Sequence, residues 1–260
     1  MAWLEEPRLR GAVPGTRSFF EVQRRIIQER PLLCGIYQQW YRALLADEAS
    51  VPGRPGEGAL LELGSGGSLL RESCPRVITS DLVEGVADRV IDGRELPFPD
   101  ASLRALFLTH VFHHIPDVER FLREAERVLV PGGVIAMIEV PHTPLARFFF
   151  RRFHPEPYDD RAPTWAFDQS DAMLDSNQAL SWIVFFRDRE RFARLFPGFS
   201  IDPPRFLPWL GYLVSGGVTR RNLVPDFLVP VFRTLDRLLR PLDPWLALHW
   251  HLTIRKRERA

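Results

Sequence analysis

The residues most suited to chemistry are three carboxylates that each follow a short apolar run. Glu62 stands in "LLELGSGGSLL", Asp81 ends "VITSD" and Asp92 follows in "VIDG". Carboxylates accept hydrogen bonds and suit a ligand that carries an amine and ribose hydroxyls. The carboxyl ends of parallel strands meet at one edge of a sheet, where such sheets bind ligands. The sequence therefore predicts that the three acids converge on one crevice.

The loop after Glu62 is almost without side chains, since Gly64, Ser65 and Gly66 open it. A glycine-rich turn directly after a buried strand lets backbone N–H groups approach a ligand closely. A dinucleotide-binding G-x-G-x-x-G/A pattern is disfavoured because its sixth position is Leu69. A P-loop is excluded because no Lys-Ser/Thr pair follows the glycines.

Histidines after two later apolar runs are candidate general bases. His110 follows "LRALFLT" and His142 follows "VIAMIEV", and histidine is the natural base near neutral pH. For His142, capping of a turn between prolines is an equal alternative. His113 and His114 come soon after His110, but zinc usually needs three or four ligands with carboxylate or thiolate support. We expect no metal here and a structural role for this pair.

The apolar pattern predicts the scaffold that must position these residues. Over residues 59–140, short apolar runs typical of strands buried on both faces alternate with helical or loop segments. This alternation predicts an α/β fold with a doubly wound, mostly parallel sheet. Two later runs, "FSIDPPRF" and "HWHLTIRKR", are also interpreted as strands.

The composition excludes some classes of function. Lys+Arg 34 against Asp+Glu 33 gives a net charge of +1, and therefore no general reason to expect nucleic-acid binding. Cys34 and Cys74 follow no metal or redox spacing. The longest uncharged stretch, residues 206–219, is too short to span a bilayer. We expect a soluble, cytoplasmic protein without a transmembrane segment, and leave contact with a membrane surface open.

Five segments together resemble one enzyme family. They are "LLELGSGG", "VITSD", "DGRELPFPDASL", "LFLTHVFHHIPDVERFLREAERVLVPGG" and "VIAMIEV", in this order over residues 59–141. They resemble the class I S-adenosylmethionine-dependent methyltransferases, most closely the small-molecule "type 11" branch. The resemblance implies a Rossmann-like, seven-stranded sheet with an antiparallel last strand, which "HWHLTIRKR" would supply.

The resemblance also implies a cofactor, S-adenosyl-L-methionine, which leaves as S-adenosyl-L-homocysteine. The backbone of the glycine loop would line its methionine part, and Glu62 would hold its ammonium directly or through water. Asp81 would bind the ribose hydroxyls, and Asp92 with the adjoining backbone would contact the adenine. The implied cofactor-binding residues are Glu62, Gly64, Ser65, Gly66, Asp81, Leu82, Asp92, Gly93 and Thr109.

Two features depart from the family's pattern. Ser68 stands where many members have a third glycine. Only thirteen residues separate Gly64 from Val77, so we expect a first crossover helix of barely two turns, near the lower limit for a parallel connection.

The chain is expected to divide at residue 58. Residues 1–58 would form an N-terminal helical cap and a linker, "DEASVPGRPGEG", and residues 59–260 the methyltransferase domain. Within that domain we expect a cofactor-binding core at 59–141, a lid or substrate region at 142–198 and an insertion at 207–246 before the closing strand.

The region after the core bears on the acceptor. "ARFFFRRFHPEPYDD" is either a lid whose Arg147, Arg151 or Arg152 meets an anionic group or an amphipathic helix packed on the sheet. The aromatic C-terminal part encloses an apolar substrate or forms a homodimer contact; the sequence does not separate these.

The expected function is O- or N-methylation of a small molecule, with a lipid-, quinone- or sugar-like acceptor. The alternative is a non-catalytic S-adenosylmethionine-binding structural or regulatory module, because fold does not imply function.

Overall fold

One mixed sheet positions the site in this computed structural model, which describes residues 5–53 and 57–258. Its strands follow the order β3-β2-β1-β4-β5-β8-β6, and β7 pairs with β8. They are β1 (Ala59–Leu63), β2 (Val77–Asp81), β3 (Arg89–Val90), β4 (Leu103–Thr109), β5 (Leu129–Glu139), β6 (Phe199–Ile201), β7 (Arg205–Phe206) and β8 (Trp250–Lys256).

Strand direction confirms the expected class of sheet. Strands β1 to β5 pair in parallel, and β8 is antiparallel to β5. Both β6 and β7 pair with the other edge of β8. Pro203 and Pro204 separate them, and proline has no N–H for a strand ladder. Strands β6 and β7 therefore share one position, which leaves seven strand positions with the last strand antiparallel.

Ten α-helical segments accompany the sheet within the described ranges. A π-helical turn, Ile183–Arg187, joins α6 to α7, and 3-10 turns lie at Pro7–Leu9, Phe112–His114, Asp226–Leu228 and Arg240–Leu242. The helices are α1 (Arg17–Glu29), α2 (Pro31–Ala49), α3 (Leu70–Ser73), α4 (Val118–Val128), α5 (Pro144–Phe153), α6 (Leu180–Trp182), α7 (Arg189–Leu195), α8 (Leu210–Ser215), α9 (Val229–Leu238) and α10 (Asp243–Leu246).

Two hydrophobic cores lie on opposite faces of the sheet. Along β4, Leu106 and Leu108 belong to one core, and Ala105 and Phe107 to the other, because successive strand side chains point to opposite faces. Helices α4, α6 and α7 cover the first face, and α1 and α2 cover the second. Burial on both faces explains why the strands read as continuous apolar runs.

Helix α3 is shorter than expected, at a single turn of four residues. It contributes only Leu70 as a buried side chain, so it cannot cover its side of the sheet. Helix α2 does so instead, with Trp40 and Leu44 in the same core as Phe107.

The boundaries of the predicted linker shift. Helix α2 continues to Ala49, where the Ser50 N–H bonds the Asp47 carbonyl, so the first residues of the predicted linker are helical. Residues 54–56 of that linker lie outside the described residues. Among the described residues, no helix combines the length and apolarity that crossing a bilayer requires.

Candidate functional site

A cavity of about 1190 Å³ opens at the carboxyl ends of β1, β2 and β4. The order of the sheet reverses between β1 and β4, and such switch points are where these sheets bind ligands. The sequence-predicted residues that line the cavity are Gly64, Ser65, Gly66, Asp81, Leu82, Asp92, Gly93, Thr109 and His110.

The glycine loop requires its glycines. Gly64 has a φ of +60°, and a Cβ placed on it would lie 2.6 Å from Cγ2 of Val111. Gly66 also has a positive φ, and Phe20 of α1 would lie 3.0 Å from its Cβ. Larger residues would clash or strain the backbone at both positions. Helix α1 thus covers the loop, a contact that the loop's own sequence does not reveal.

Glu62 lies buried beside this loop rather than among the residues that line the cavity. Its Oε1 accepts a hydrogen bond from Ser68 Oγ at 2.6 Å, and its Oε2 has no hydrogen-bond partner among the described residues. Burial raises the pKa of Glu62 to about 7. Ser68, the departure from the family's third glycine, also lies 3.1 Å from the Tyr41 hydroxyl, so the serine anchors the glutamate.

Asp81 and Asp92 both line the cavity, but they differ in their hydrogen-bond partners and in the direction of their pKa shifts. Asp81 accepts the backbone N–H of Gly66 and of Val83, each at 2.9 Å, and burial raises its pKa. Asp92 is half-exposed and pairs with Arg94, whose Nη2 lies 2.6 Å from Oδ2. The Arg94 guanidinium lowers the pKa of Asp92. Sequence reasoning missed Arg94, although it follows Asp92 by two residues.

Thr109 and His110 end β4 at the same cavity. The Thr109 hydroxyl is buried without a hydrogen-bond partner in the described chain. His110 has a φ of +58°, held by its N–H donating to the Ile138 carbonyl at 2.9 Å. A non-glycine residue in this region is uncommon and stores strain, often at functional sites.

The His110 imidazole is neutral near pH 7, since burial lowers its pKa to about 4. Its Nε2 is buried, and no described group hydrogen-bonds to it. The His249 ring lies 4.8 Å from the His110 ring, and burial lowers the pKa of His249 as well. Sequence reasoning missed His249; its only signal was its position directly before the closing strand.

A chain of paired acids and histidines forms part of the cavity wall. His113 Nδ1 lies 2.6 Å from Glu139 Oε2, and its Nε2 lies 3.2 Å from Glu156 Oε2. Burial opposes charge on His113, but the two carboxylates raise its pKa to about 10. Candidate ligand atoms of His113, His114 and Glu156 lie within 4.8 Å of one another, so the structure brings a carboxylate to the histidine pair that the sequence alone did not supply.

His142 does not reach the cavity. Its Nε2 lies 2.8 Å from Asp160 Oδ2, and its ring stacks on Trp182 with centroids 3.7 Å apart. The chain turns here because Thr143 caps α5. Arg147 and Arg151 also pair with Asp160, at 3.3 and 2.6 Å. The structure therefore does not bring His142 to the other predicted site residues.

The remaining wall of the cavity is aromatic and basic. Phe149 and Phe150 of α5 and Tyr212 of α8 line it, together with Arg152 and Arg220. Helix α5 packs Ala146 and Phe150 into the core and also borders the cavity.

Comparison with known proteins supports this geometry. Residues 61–137 match the family model described as a methyltransferase domain. The 27-O-demethylrifamycin SV methyltransferase of Amycolatopsis mediterranei is 39% identical over 62 residues, 24% of this chain and 23% of the relative. The 2-phytyl-1,4-naphtoquinone methyltransferase of Synechococcus elongatus is 28% identical over 137 residues, 44% and 59% of the two chains. The chain thus spans from about a quarter to about six-tenths of these relatives' length.

Solved structures share the fold. Geranyl diphosphate C-methyltransferase from Streptomyces coelicolor A3(2), in complex with Mg²⁺, geranyl diphosphate and S-adenosyl-L-homocysteine, superposes with a TM-score of 0.50 at 16% identity, covering 98% of this chain and 90% of that chain. Phosphoethanolamine N-methyltransferase 2 of Haemonchus contortus gives 0.53 at 16% identity, covering 95% and 59%. Residues 61–137 therefore match a methyltransferase-domain model, and the chain shares the fold of these solved methyltransferases.

Proposed function

We propose that this protein transfers a methyl group from S-adenosyl-L-methionine to a small-molecule acceptor. The observation that carries the proposal is the convergence on one cavity of the bare loop at residues 64–66, Asp81, Asp92 and His110, with the unpaired oxygen of Glu62 beside that loop. An amine, a ribose and a flat base need these acceptors and this close backbone approach.

The residues present fit this cofactor, whose bound form supplies an electrophilic methyl on a sulfonium. Glu62 would pair with its ammonium, and the loop backbone would line its methionine part. Asp81 would accept hydrogen bonds from the ribose hydroxyls, and Asp92 with Gly93 would contact the adenine. Leu82 and Thr109, which also line the cavity, would complete the cofactor wall.

The chain's contribution to chemistry is orientation and proton removal. The cavity walls would hold the acceptor's hydroxyl or amine in line with the carbon–sulfur bond that breaks. As the new bond to that carbon forms, the acceptor's proton would pass to His110 Nε2, which is neutral and unpaired. His113 cannot serve, because its pKa is raised to about 10 between two carboxylates.

The acceptor side favours an apolar molecule with a polar end, modified on oxygen or nitrogen. Phe149, Phe150 and Tyr212 offer aromatic surface, and Arg220 stands at the same wall. Methyltransferases for a naphthoquinone and for a rifamycin are among the relatives. Among lipid-, quinone- and sugar-like acceptors, this wall supports the first two.

Calorimetry with S-adenosyl-L-methionine, S-adenosyl-L-homocysteine and NAD tests the cofactor. We expect binding of the first two and none of NAD; a preference for NAD would refute the proposal. Incubation with methyl-labelled cofactor and cell extract tests catalysis. Label should appear in a small organic-soluble product. Tight cofactor binding with no labelled product in any extract would show a non-catalytic module.

A further inference from the structure

A row of exposed apolar side chains lies in the segment between β7 and β8. Four helical segments follow one another from Asp226 to Leu246: a 3-10 turn, α9, a second 3-10 turn and α10. Phe227, Leu238 and Trp245 are 78%, 69% and 56% exposed. We call the exposed set the apolar stripe; its members are Phe227, Val231, Leu238, Leu242 and Trp245.

The stripe includes a residue from each of these four segments. Within α9, Val231 and Leu238 lie seven residues apart, which is the spacing of a single helix face. The inward side is polar at Asp236, which is buried and accepts the backbone N–H groups of Leu210 and Gly211 at 3.1 and 3.2 Å. The same inward side is apolar at Val229 and Phe232, which pack against the core beneath α1 and α2. Helix α9 therefore carries apolar residues on its exposed side as well as toward the core, where a surface helix normally has them.

The charges around the stripe are positive. In residues 220–246 the exposed acid is Asp226, since Asp236 and Asp243 are buried. Arg221, Arg237 and Arg240 are exposed, and the salt bridges of the described residues include none of these three. Interfacial helices combine such arginines with Phe, Leu and Trp on the apolar side.

We propose that the apolar stripe docks on an anionic lipid bilayer. The negative surface potential of such a bilayer attracts nearby arginines while the apolar side chains enter the headgroup boundary. A symmetric contact with a second copy would instead bring the same arginines together. That repulsion would have only Asp226 to offset it, so the charges favour lipid over a dimer.

The cavity opens beside this surface. Arg220, Arg221 and Leu223 line the cavity and directly precede the stripe in the chain. The exposed Phe153 lines the same mouth, where Arg220 Nη2 donates to its carbonyl at 3.2 Å. The acceptor would therefore be an amphiphile that enters from the bilayer; this second step rests on the proposed function, whereas docking does not.

Sedimentation of the full chain with vesicles tests docking. We expect binding to phosphatidylcholine vesicles that contain about a third phosphatidylglycerol, weaker binding to phosphatidylcholine alone, and a decrease with added salt. The variant Phe227→Ser/Leu238→Ser should lose about tenfold or more of the binding. The control Val90→Ser/Leu195→Ser removes two exposed apolar side chains elsewhere and should bind as the unmodified chain does.

Absence of binding by the unmodified chain to anionic vesicles, or an equal loss in both variants, would overturn the inference. So would a dimer on size exclusion that dissociates in Phe227→Ser/Leu238→Ser, which would assign the stripe to a second copy. The vesicles contain no acceptor, so cofactor calorimetry on the same preparations is independent. Cofactor binding without vesicle binding removes only this inference, and the converse removes only the proposed function.

Discussion

At the scale of single residues, the site depends on groups whose ordinary chemistry burial has changed. Glu62 keeps one unpaired oxygen and a pKa raised to about 7, while His110 is held neutral in a strained backbone conformation. Each is costly for folding alone, because buried polar atoms without partners lose their hydration. A ligand that supplies an ammonium to Glu62 and a hydrogen-bond donor to His110 Nε2 would offset that cost.

The pH dependence of cofactor affinity should report Glu62. A cationic ammonium favours the charged carboxylate, whereas the free protein holds Glu62 protonated below about pH 7. Affinity should therefore be highest above pH 7 and fall as the pH decreases, by up to about tenfold per unit. Calorimetry across this range, with Glu62→Gln as the comparison, measures it. An equally steep dependence in Glu62→Gln would contradict the assignment.

Replacing Asp81 should weaken cofactor binding. Asp81→Asn keeps the size but loses a charged acceptor in the cavity wall, at an expected cost of about 1–3 kcal/mol in binding free energy. Asp100→Asn, at an exposed carboxylate paired with Arg127, is the matched control. Titration with S-adenosyl-L-homocysteine gives both affinities, and equal values would count against Asp81.

Substitution by asparagine should affect kcat differently at the two predicted bases, His110 and His142. His110→Asn retains a residue that tolerates positive φ but removes the proton acceptor, so kcat should fall about 10²- to 10⁴-fold with cofactor affinity unchanged. His142→Asn should leave kcat unchanged, because His142 pairs with Asp160 away from the cavity. Single-turnover methyl transfer measures both. The reverse pattern would restore His142 as the base.

At this scale, sequence reasoning succeeded where a residue's place follows from a strand end. Asp81 and Asp92 lie at the cavity because the sheet fixes the strand ends that carry them. The prediction that His142 lies at the cavity failed, because the spacing of residues along the sequence does not give the direction of the turn after a strand. His249 was missed because a distant strand, β8, brings it beside His110.

At the scale of elements, the glycine loop is covered by the N-terminal helix α1 and not by the helix that follows β1. The connection after β1 contains a single helical turn, so helix α1 packs on the glycine loop through Phe20. The sequence predicted an N-terminal helical cap, yet it could not say which surface that cap would cover. The parallel strands were predicted from the alternation of short apolar runs with helical segments. The order of the strands and the docking of the N-terminal helices depended on tertiary packing.

Phe20→Ala should therefore affect binding as well as stability. Removal of a buried phenylalanine typically costs about 3–5 kcal/mol of unfolding free energy, and Phe20 also lines the cavity. Phe192→Ala, in the core on the other face of the sheet, is the matched control. Both should unfold at lower urea concentrations, but only Phe20→Ala should lower cofactor affinity. Equal affinities would remove α1 from the site.

At the scale of the whole molecule, a buried arginine joins the N-terminal helices to the segment after α8. Arg30, between α1 and α2, pairs with Glu6. Its Nη1 also donates to the carbonyls of Gly217 and Arg220, each at 2.8 Å, in the segment after α8. No local pattern predicts such a contact, because Arg30 and Arg220 lie 190 residues apart and the acceptors are backbone atoms.

Arg30→Met should be strongly destabilising. It leaves the buried Glu6 with Arg8 as its remaining ion-pair partner and removes the donor of several carbonyls, at an expected cost of about 3–5 kcal/mol. Arg17→Met removes the exposed pair with Glu21 and should cost at most about 0.5 kcal/mol. Urea denaturation measures both, and similar midpoints would show that the buried pair contributes little.

The same contact has a consequence for the growing polypeptide on the ribosome. Arg30 cannot reach its carbonyl partners until residue 220 has left the exit tunnel, although α1 and α2 are synthesised first. Until then, Glu6 is the partner that can pair with the charge of the Arg30 guanidinium. Helices α1 and α2 should therefore be among the last of the described elements to become fixed, and nascent chains halted before Arg220 should remain open to proteases in these two helices.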